Sequence, residues 1–362
     1  GDVYKRQHWS ETQRRTAGGD WRIPVDPSLV RPFGIGAQGD HVRDLQTRLI
    51  SLGHAIDSLD GVFGVATDAA LKEFQEHRSI DVDGICGPQT WSQLVEAGHR
   101  LGSRLLYLQS PPLRGDDVAD LQRLLTALGF PMGQIDGIHG QQTADALADF
   151  QLNAGLVPDG VCGPVTVDFL HKVGERFGEA SDITRLQEKQ RFLNASSELH
   201  GYKILLAESG GLDAVIASLR RSLSEAGADL LTSHHPAWSS HAQQANTFGA
   251  DLCIGVEIRD EGSSICHFLG DHFESPTGQQ LGSSMAESLR SLFPDISSQG
   301  MRLPLLRETR MPALLLRIDD VNTLVRNHHD MSLIVTGAVR SFIEVCLLYT
   351  SPSPRDGLLS RM

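Results

Sequence analysis

The hexapeptide Asp83-Gly84-Ile85-Cys86-Gly87-Pro88 returns 76 positions later as Asp159-Gly160-Val161-Cys162-Gly163-Pro164. Working outward from it, Gly39–Gly98 and Gly115–Gly174 align without a gap and are identical at 25 of 60 positions. Leu45-Gln46 matches Leu121-Gln122, Leu52-Gly53 matches Leu128-Gly129, and Phe74-Gln75 matches Phe150-Gln151. Asp60-Gly61 and Gly64 match Asp136-Gly137 and Gly140. Self-similarity at one fixed period marks a tandem repeat.

Each copy reads as three short helices. Val42, Leu45, Leu49 and Leu52 recur at helical spacing, as do Val118, Leu121, Leu125 and Leu128. Asp40 and Asp116 stand where a side-chain oxygen is expected to cap the first helix. Gly53 and Gly129 are placed to end it in a left-handed conformation. Asp-Gly, followed by Gly64 or Gly140, predicts a tight turn with positive φ. Leu71 and Phe74, or Leu147 and Phe150, mark a second helix, and Gly-Pro opens a third. Cys86 and Cys162 are expected to be small buried fillers.

The pattern D-x-V-x-x-L-Q…L-G…D-G-x-x-G…F-Q…D-G-x-x-G-P-x-T resembles the bacterial peptidoglycan-binding domain, along the full length of both copies. The resemblance implies an all-α three-helix module that binds cell-wall glycan or stem peptide in a groove beside the Asp-Gly turns. Its expected contacts are Asp60, Gly61, Gly64, Asp83 and Gly84 in the first copy. In the second they are Asp136, Gly137, Gly140, Asp159 and Gly160. Taken singly, the same residues are more simply turn builders.

From Gly201 the pattern changes to strand–helix alternation, which predicts a compact α/β domain. Strands are expected at 203–207, 229–232, 251–258, 264–269 and 313–318. Helices are expected at 213–226, 238–248, 278–292 and about 329–345. The first strand runs into the corner Lys203–Gly211, KILLAESGG, where an α/β domain mounts ligand groups. The segments QQANTFGADLCIGVEI and TRMPALLLRIDDVNT resemble parts of the zinc-dependent N-acetylmuramoyl-L-alanine amidase family, which has a flavodoxin-like αβα sandwich. The order of modules resembles that of actinobacterial CwlM-type proteins.

That family's chemistry needs two His and one Glu on a zinc, with a further Glu as general base. The resemblance places Glu208 near the first His position, Glu257 at the second and Arg317 at the catalytic Glu. A guanidinium is no base at neutral pH. Glu208, Glu257 and Arg317 are therefore expected to form an ion-paired cluster at the old metal position, with no metal and no cofactor. His234, His235, His241, His267 and His272 are available as other ligands, but no H-E-x-x-H spacing occurs. His234-His235 and Asp319-Asp320 read more simply as solvated loop residues. No nucleophile–base pair or nucleotide fingerprint is legible.

The formal net charge of −13 disfavours a nonspecific nucleic-acid binder. Five cysteines without a CxxC argue against a disulfide scaffold or zinc ribbon. No apolar run is long enough to span a membrane. The start DVYKRQ and the end LLYTSPSPRDGLLSRM differ from the rest and resemble translated adapter sequence. The expected domains are a disordered tail with a foreign start at 1–36, repeats at 37–100 and 113–176, and a linker at 177–200 with a helix at 181–192. An amidase-like domain at 201–346 and a foreign tail at 347–362 complete them. The expectation is a non-catalytic binding or regulatory protein of cell-wall synthesis, cytoplasmic or envelope-associated. Its expected partners are peptidoglycan or its precursors and a cell-wall synthesis enzyme. The alternative is a divergent, zinc-dependent amidase that cleaves the bond between muramic acid and L-Ala.

Overall fold

In a computed structural model of the chain, which describes residues 31–56, 58–130, 132–174, 199–260 and 262–348, each repeat is a three-helix unit. The first contains α1 (Asp40–Ser51), α2 (Val65–His77) and α3 (Pro88–Ala97). The second contains α4 (Asp116–Ala127), α5 (Gln141–Asn153) and α6 (Pro164–Gly174). Apolar residues three and four apart share one face of a helix. Val42, Leu45 and Leu49 thus meet Leu71, Phe74 and Leu94 in one core. Val118, Leu121 and Leu125 meet Leu147, Phe150 and Leu170 in the other. Cys86 and Cys162 fill matching places, and burial pushes both thiols up to about 12.

Gly53 and Gly129 do take positive φ, 96° and 87°, just past their helices. The expected caps fail. Gly39 and Gly115 occupy the cap positions with no side-chain cap bond, and the aspartates sit one residue inside. Asp40 there accepts from Arg43 at 2.9 Å. Asp116 accepts from Arg78 of the first repeat at 2.8 Å.

The α/β domain runs β1 (Lys203–Glu208), α7 (Asp213–Glu225), β2 (Asp229–His234), α8 (Trp238–Phe248), β3 (Leu252–Ile258) and β4 (Ser264–Phe268). It continues with α9 (Pro276–Leu289), β5 (Ser297–Met301), α10 (Pro304–Glu308), β6 (Ala313–Ile318), α11 (Val321–Arg326) and α12 (His328–Leu348). The sheet order is β2-β1-β3-β6-β4-β5. β2, β1, β3 and β6 are parallel, and β4 is antiparallel to β6. β5, α10 and α11 were not anticipated from the sequence. Of the tail expected at 1–36, the last residues are ordered against the first repeat: Cys86 N donates to the Phe33 carbonyl at 2.8 Å and Gly36 N to the Phe63 carbonyl at 2.9 Å. Residues 1–30, the helix expected at 181–192 and the part of the tail expected at 347–362 that follows α12 lie outside the described residues.

Side chains alternate across a sheet. Ile204, Leu206, Ile254, Val256, Leu314 and Leu316 face the core shared with α7, α9 and α12. Leu205, Ala207, Cys253 and Leu315 face the other way, towards α8 and α10. On that second side the second repeat adds its own Ala119 and Ile135 to the core. The repeats therefore pack onto the face of the domain that carries α8 and α10.

Candidate functional site

β1, β3 and β6 run side by side in the same direction, so their carboxyl ends form one rim. Glu208 ends β1, and Glu257 and Arg317 are the penultimate residues of β3 and β6. The register sets which of them meet. Glu257 is opposite Arg317, and Arg317 Nε donates to Glu257 Oε2 at 3.2 Å. Glu208 is opposite Val256, one residue out of step, and so points to the other face of the sheet. The expected three-residue cluster is thus only a pair, and Glu208 is separate.

The place of the third member is taken by Asp81, from the loop after α2 of the first repeat. Arg317 donates to both Asp81 oxygens, at 2.7 and 3.0 Å. Arg259 donates to the same carboxylate at 2.9 Å. Burial works against the charge on Arg317, but bonding to Asp81 outweighs it and holds the pKa above the ordinary arginine value.

Glu208 is 2% exposed and accepts three bonds. Oε2 receives the backbone N–H groups of Gly210 and Leu212, at 2.8 and 3.1 Å, so this carboxylate closes the KILLAESGG corner. Oε1 lies 2.7 Å from His234 Nδ1. Burial disfavours the Glu208 charge, yet the His234 bond and the two N–H donors together lower its pKa. His234 is the last residue of β2 and a partner of Glu208 rather than a loop residue, yet its side chain stays 46% exposed, and His235 beyond it is exposed as expected. Asp319 and Asp320 are exposed as expected, and Asp320 also caps α11 by accepting from Thr323 N at 2.9 Å.

Do these residues suit a zinc of the amidase type? Arg317, which the sequence resemblance aligns with the family's catalytic carboxylate, is a buried cation, which does not fit. Among the described residues, Glu208, Asp213 and His234 have ligand atoms within 4.8 Å of one another. That set has one His and two carboxylates, whereas the family set has two His. The other histidines are dispersed. His241 lies 2.6 Å from Ser233 Oγ and 2.8 Å from the His235 carbonyl, and His267 lies 2.8 Å from Glu274. His272 sits 3.7 Å from Asp120 of the second repeat.

The Asp-Gly turns share one local design that sequence reasoning missed. Gln46 Nε2 lies 3.0 Å from Asp60 Oδ1, 3.1 Å from the Val62 carbonyl and 3.2 Å from Thr67 Oγ1, while Gln46 Oε1 accepts from Gly61 N at 3.0 Å. Gln75 makes the same four contacts with Asp83, Ile85, Thr90 and Gly84. Gln122 makes them with Asp136, Ile138, Thr143 and Gly137, and Gln151 with Asp159, Val161, Thr166 and Gly160. The glycines at the turns have φ from 68° to 73°, where a side chain is strained. Gly64 and Gly140 differ: their φ is −93° and −90°, and they precede helices. The four aspartates expected to touch ligand spend Oδ1 on this glutamine clip. The signal was present in the sequence, since every clip glutamine recurs in the alignment.

The two Asp-Gly turns at 60–61 and 136–137 sit in different surroundings. Hydrogen bonds from Gln46 and Val62 hold the Asp60 carboxyl below its ordinary range. Asp136 is covered by the α/β domain, and burial pushes its carboxyl up. Arg307 of α10 donates to the Asp136 carbonyl at 2.6 Å. Beside this turn lies a cleft of about 600 Å³ between the second repeat and α8 and α10.

The family described as "Putative peptidoglycan binding domain" matches residues 38–94 and 114–170. Over 316 residues the chain is 32% identical to N-acetylmuramoyl-L-alanine amidase CwlM of Mycobacterium tuberculosis, across 78% of this chain and 77% of that one. It is 35% identical over 153 residues to N-acetylmuramoyl-L-alanine amidase CwlL of Bacillus licheniformis, across 36% of this chain and 42% of that one. The crystal structure of the SleB N-terminal domain is 42% identical and covers 18% of this chain and 89% of its own, with a TM-score of 0.18. With tandem peptidoglycan-binding repeats ahead of an amidase-like α/β domain, this chain belongs to the family of N-acetylmuramoyl-L-alanine amidase CwlM.

Proposed function

We propose that this protein binds peptidoglycan or its precursors and that its amidase-like domain serves binding or regulation of cell-wall synthesis without hydrolysing the amide bond. The observation that carries this reading is the Arg317 network. A buried guanidinium tied to Glu257 and Asp81 stands where the family places a general base. It would repel a divalent cation and has no lone pair to take a proton from water. No helix among the described residues is long and apolar enough to cross a membrane.

The test is metal analysis of the purified chain, together with an assay for stem-peptide release from muropeptides. The expected result is less than stoichiometric zinc and no turnover. One tightly bound zinc per chain with turnover would overturn the proposal.

One observation favours the rival reading of a divergent amidase: the grouping of Glu208, Asp213 and His234 at the carboxyl end of β1 and β2. If that reading holds, His234→Ala removes both the zinc and the release of peptide.

A further inference from the structure

Where the first repeat meets the carboxyl rim of the sheet, a pocket of about 220 Å³ stays open beside Asp81. Arg259 and Arg317 stand on one side of it, and Ser264 of β4 with Gln299 and Met301 of β5 on another. Asp81 sits there as a ligand would. Both of its oxygens receive Arg317, at 2.7 and 3.0 Å, and one also receives Arg259 at 2.9 Å. Such forked bonding is how an arginine recognises a carboxylate. Arg317 is 6% exposed and its Nε is held by Glu257 at 3.2 Å, so the α/β domain sets the fork in place by itself.

Asp81 is not part of what makes a repeat. The matching residue of the second repeat is Val157, 74% exposed. Nearby, Ser79 has a left-handed φ of 52° where the second repeat has Gly155 at 70°, and the Ser79 carbonyl accepts from Arg302 N at 2.6 Å. A residue other than glycine persists in that region when its surroundings hold it. The loop is therefore shaped to its dock on the α/β domain. The Asp81 side chain is 17% exposed and borders the open space. Rotation of that one side chain uncovers the fork without moving the helices of the repeat.

We infer that this pocket is a receptor for a single carboxylate, occupied in cis by Asp81, and that a small free carboxylic acid exchanges with Asp81 there and loosens the first repeat from the α/β domain. Glu257 already supplies a negative charge beside Arg317, so a singly charged acid suits the fork better than a dianion. The space beside Asp81 takes a molecule of a few heavy atoms, not a peptide chain, while the repeat is in place. Nothing in this requires the chain to bind peptidoglycan.

The test is NMR titration of the full chain, read at the Arg259 Nε–H signal. The probes are acetate, inorganic phosphate and the blocked peptide Ser-Ile-Asp-Val-Asp-Gly, copied from Ser79–Gly84, each exchanged against chloride at constant ionic strength. In Asp81→Ala the acetate half-point is expected to fall at least about tenfold below that of the unaltered chain, because a tethered carboxylate competes at high effective concentration. Asp81→Asn keeps the shape of the side chain and is expected to move the same way, and thermal melts confirm that both variants fold. Adding Arg317→Ala to Asp81→Ala is expected to weaken acetate by about tenfold or more, the size of a lost charged anchor. Arg310→Ala, which removes an exposed arginine outside the pocket, is expected to leave acetate within about twofold. In the unaltered chain, saturating acetate is expected to speed cleavage by added protease between the first repeat and the rest, relative to equal chloride. An equal half-point with and without Asp81, or binding that survives the loss of Arg317, overturns the receptor. Phosphate binding more tightly than acetate overturns the preference for a single charge. A peptide that binds more tightly than acetate overturns the small acid in favour of an acidic segment of a partner protein. A cleavage rate that acetate leaves unchanged overturns the loosening of the first repeat.

Discussion

His139 is the clearest case of a single residue out of keeping with its surroundings. It is fully buried in the second repeat, and neither ring nitrogen meets a hydrogen-bond partner among the described residues. The matching residue of the first repeat is Phe63, 1% exposed in the equivalent core. A buried polar group left unpaired costs about 1–3 kcal/mol. His139→Phe is therefore expected to stabilise the chain by roughly that amount, read as a higher urea midpoint at unchanged slope. Burial also lowers the His139 pKa below the ordinary histidine value. The unfolded chain then binds more protons below about pH 6.5, so stability falls as pH drops through that value towards the folded pKa. His139→Phe should flatten that acid limb. An unchanged pH profile would show that the ring is partnered in solution.

At the scale of elements, the glutamine clip fixes each turn to the helix before it and the helix after it. Gln122→Ala leaves Gly137 N without its acceptor and Asp136 without its side-chain donor. The expected loss is on the order of 1–3 kcal/mol. Gln122→Glu should lose nearly as much, because a carboxylate accepts from Gly137 but cannot donate to Asp136. Recovery of stability by Gln122→Glu would refute the clip as drawn. The long elements were legible because their apolar spacing matches their period, as in Val215, Leu219 and Leu223 of α7. β5, with the sequence Ser297-Ser298-Gln299-Gly300-Met301, has no such alternation and is a strand because β4 offers it an edge. The parting of Glu208 from Glu257 depends on a register of one residue, which no strand prediction fixes.

Across the whole molecule, three modules meet at one guanidinium. Arg78 of the first repeat binds Asp116 of the second at 2.8 Å and Asp271 of the α/β domain at 3.1 Å. Nearby, Arg307 reaches Glu96 of the first repeat at 2.7 Å. Arg302 is crowded by burial and by the Arg307 and Arg78 charges, which lower its pKa to about 10. A second point of attachment is the Asp81–Arg317 bond. A double-mutant cycle with Asp81→Ala and Arg317→Ala should give a coupling of about 0.5–3 kcal/mol, and either variant should speed cleavage by added protease between the first repeat and the rest. Additive effects would show that the contact does not hold the modules together. None of these contacts was visible in the sequence, because each joins residues whose local patterns are complete without the other. The Asp81–Arg317 bond spans 236 positions. On the ribosome the two repeats are made first and can fold from their own local contacts. β6 stands between β3 and β4, so the sheet cannot close until residue 318 has been made. During synthesis, therefore, both repeats are complete before the sheet they pack against, and the chain's final assembly step is the docking of its last-made half onto them.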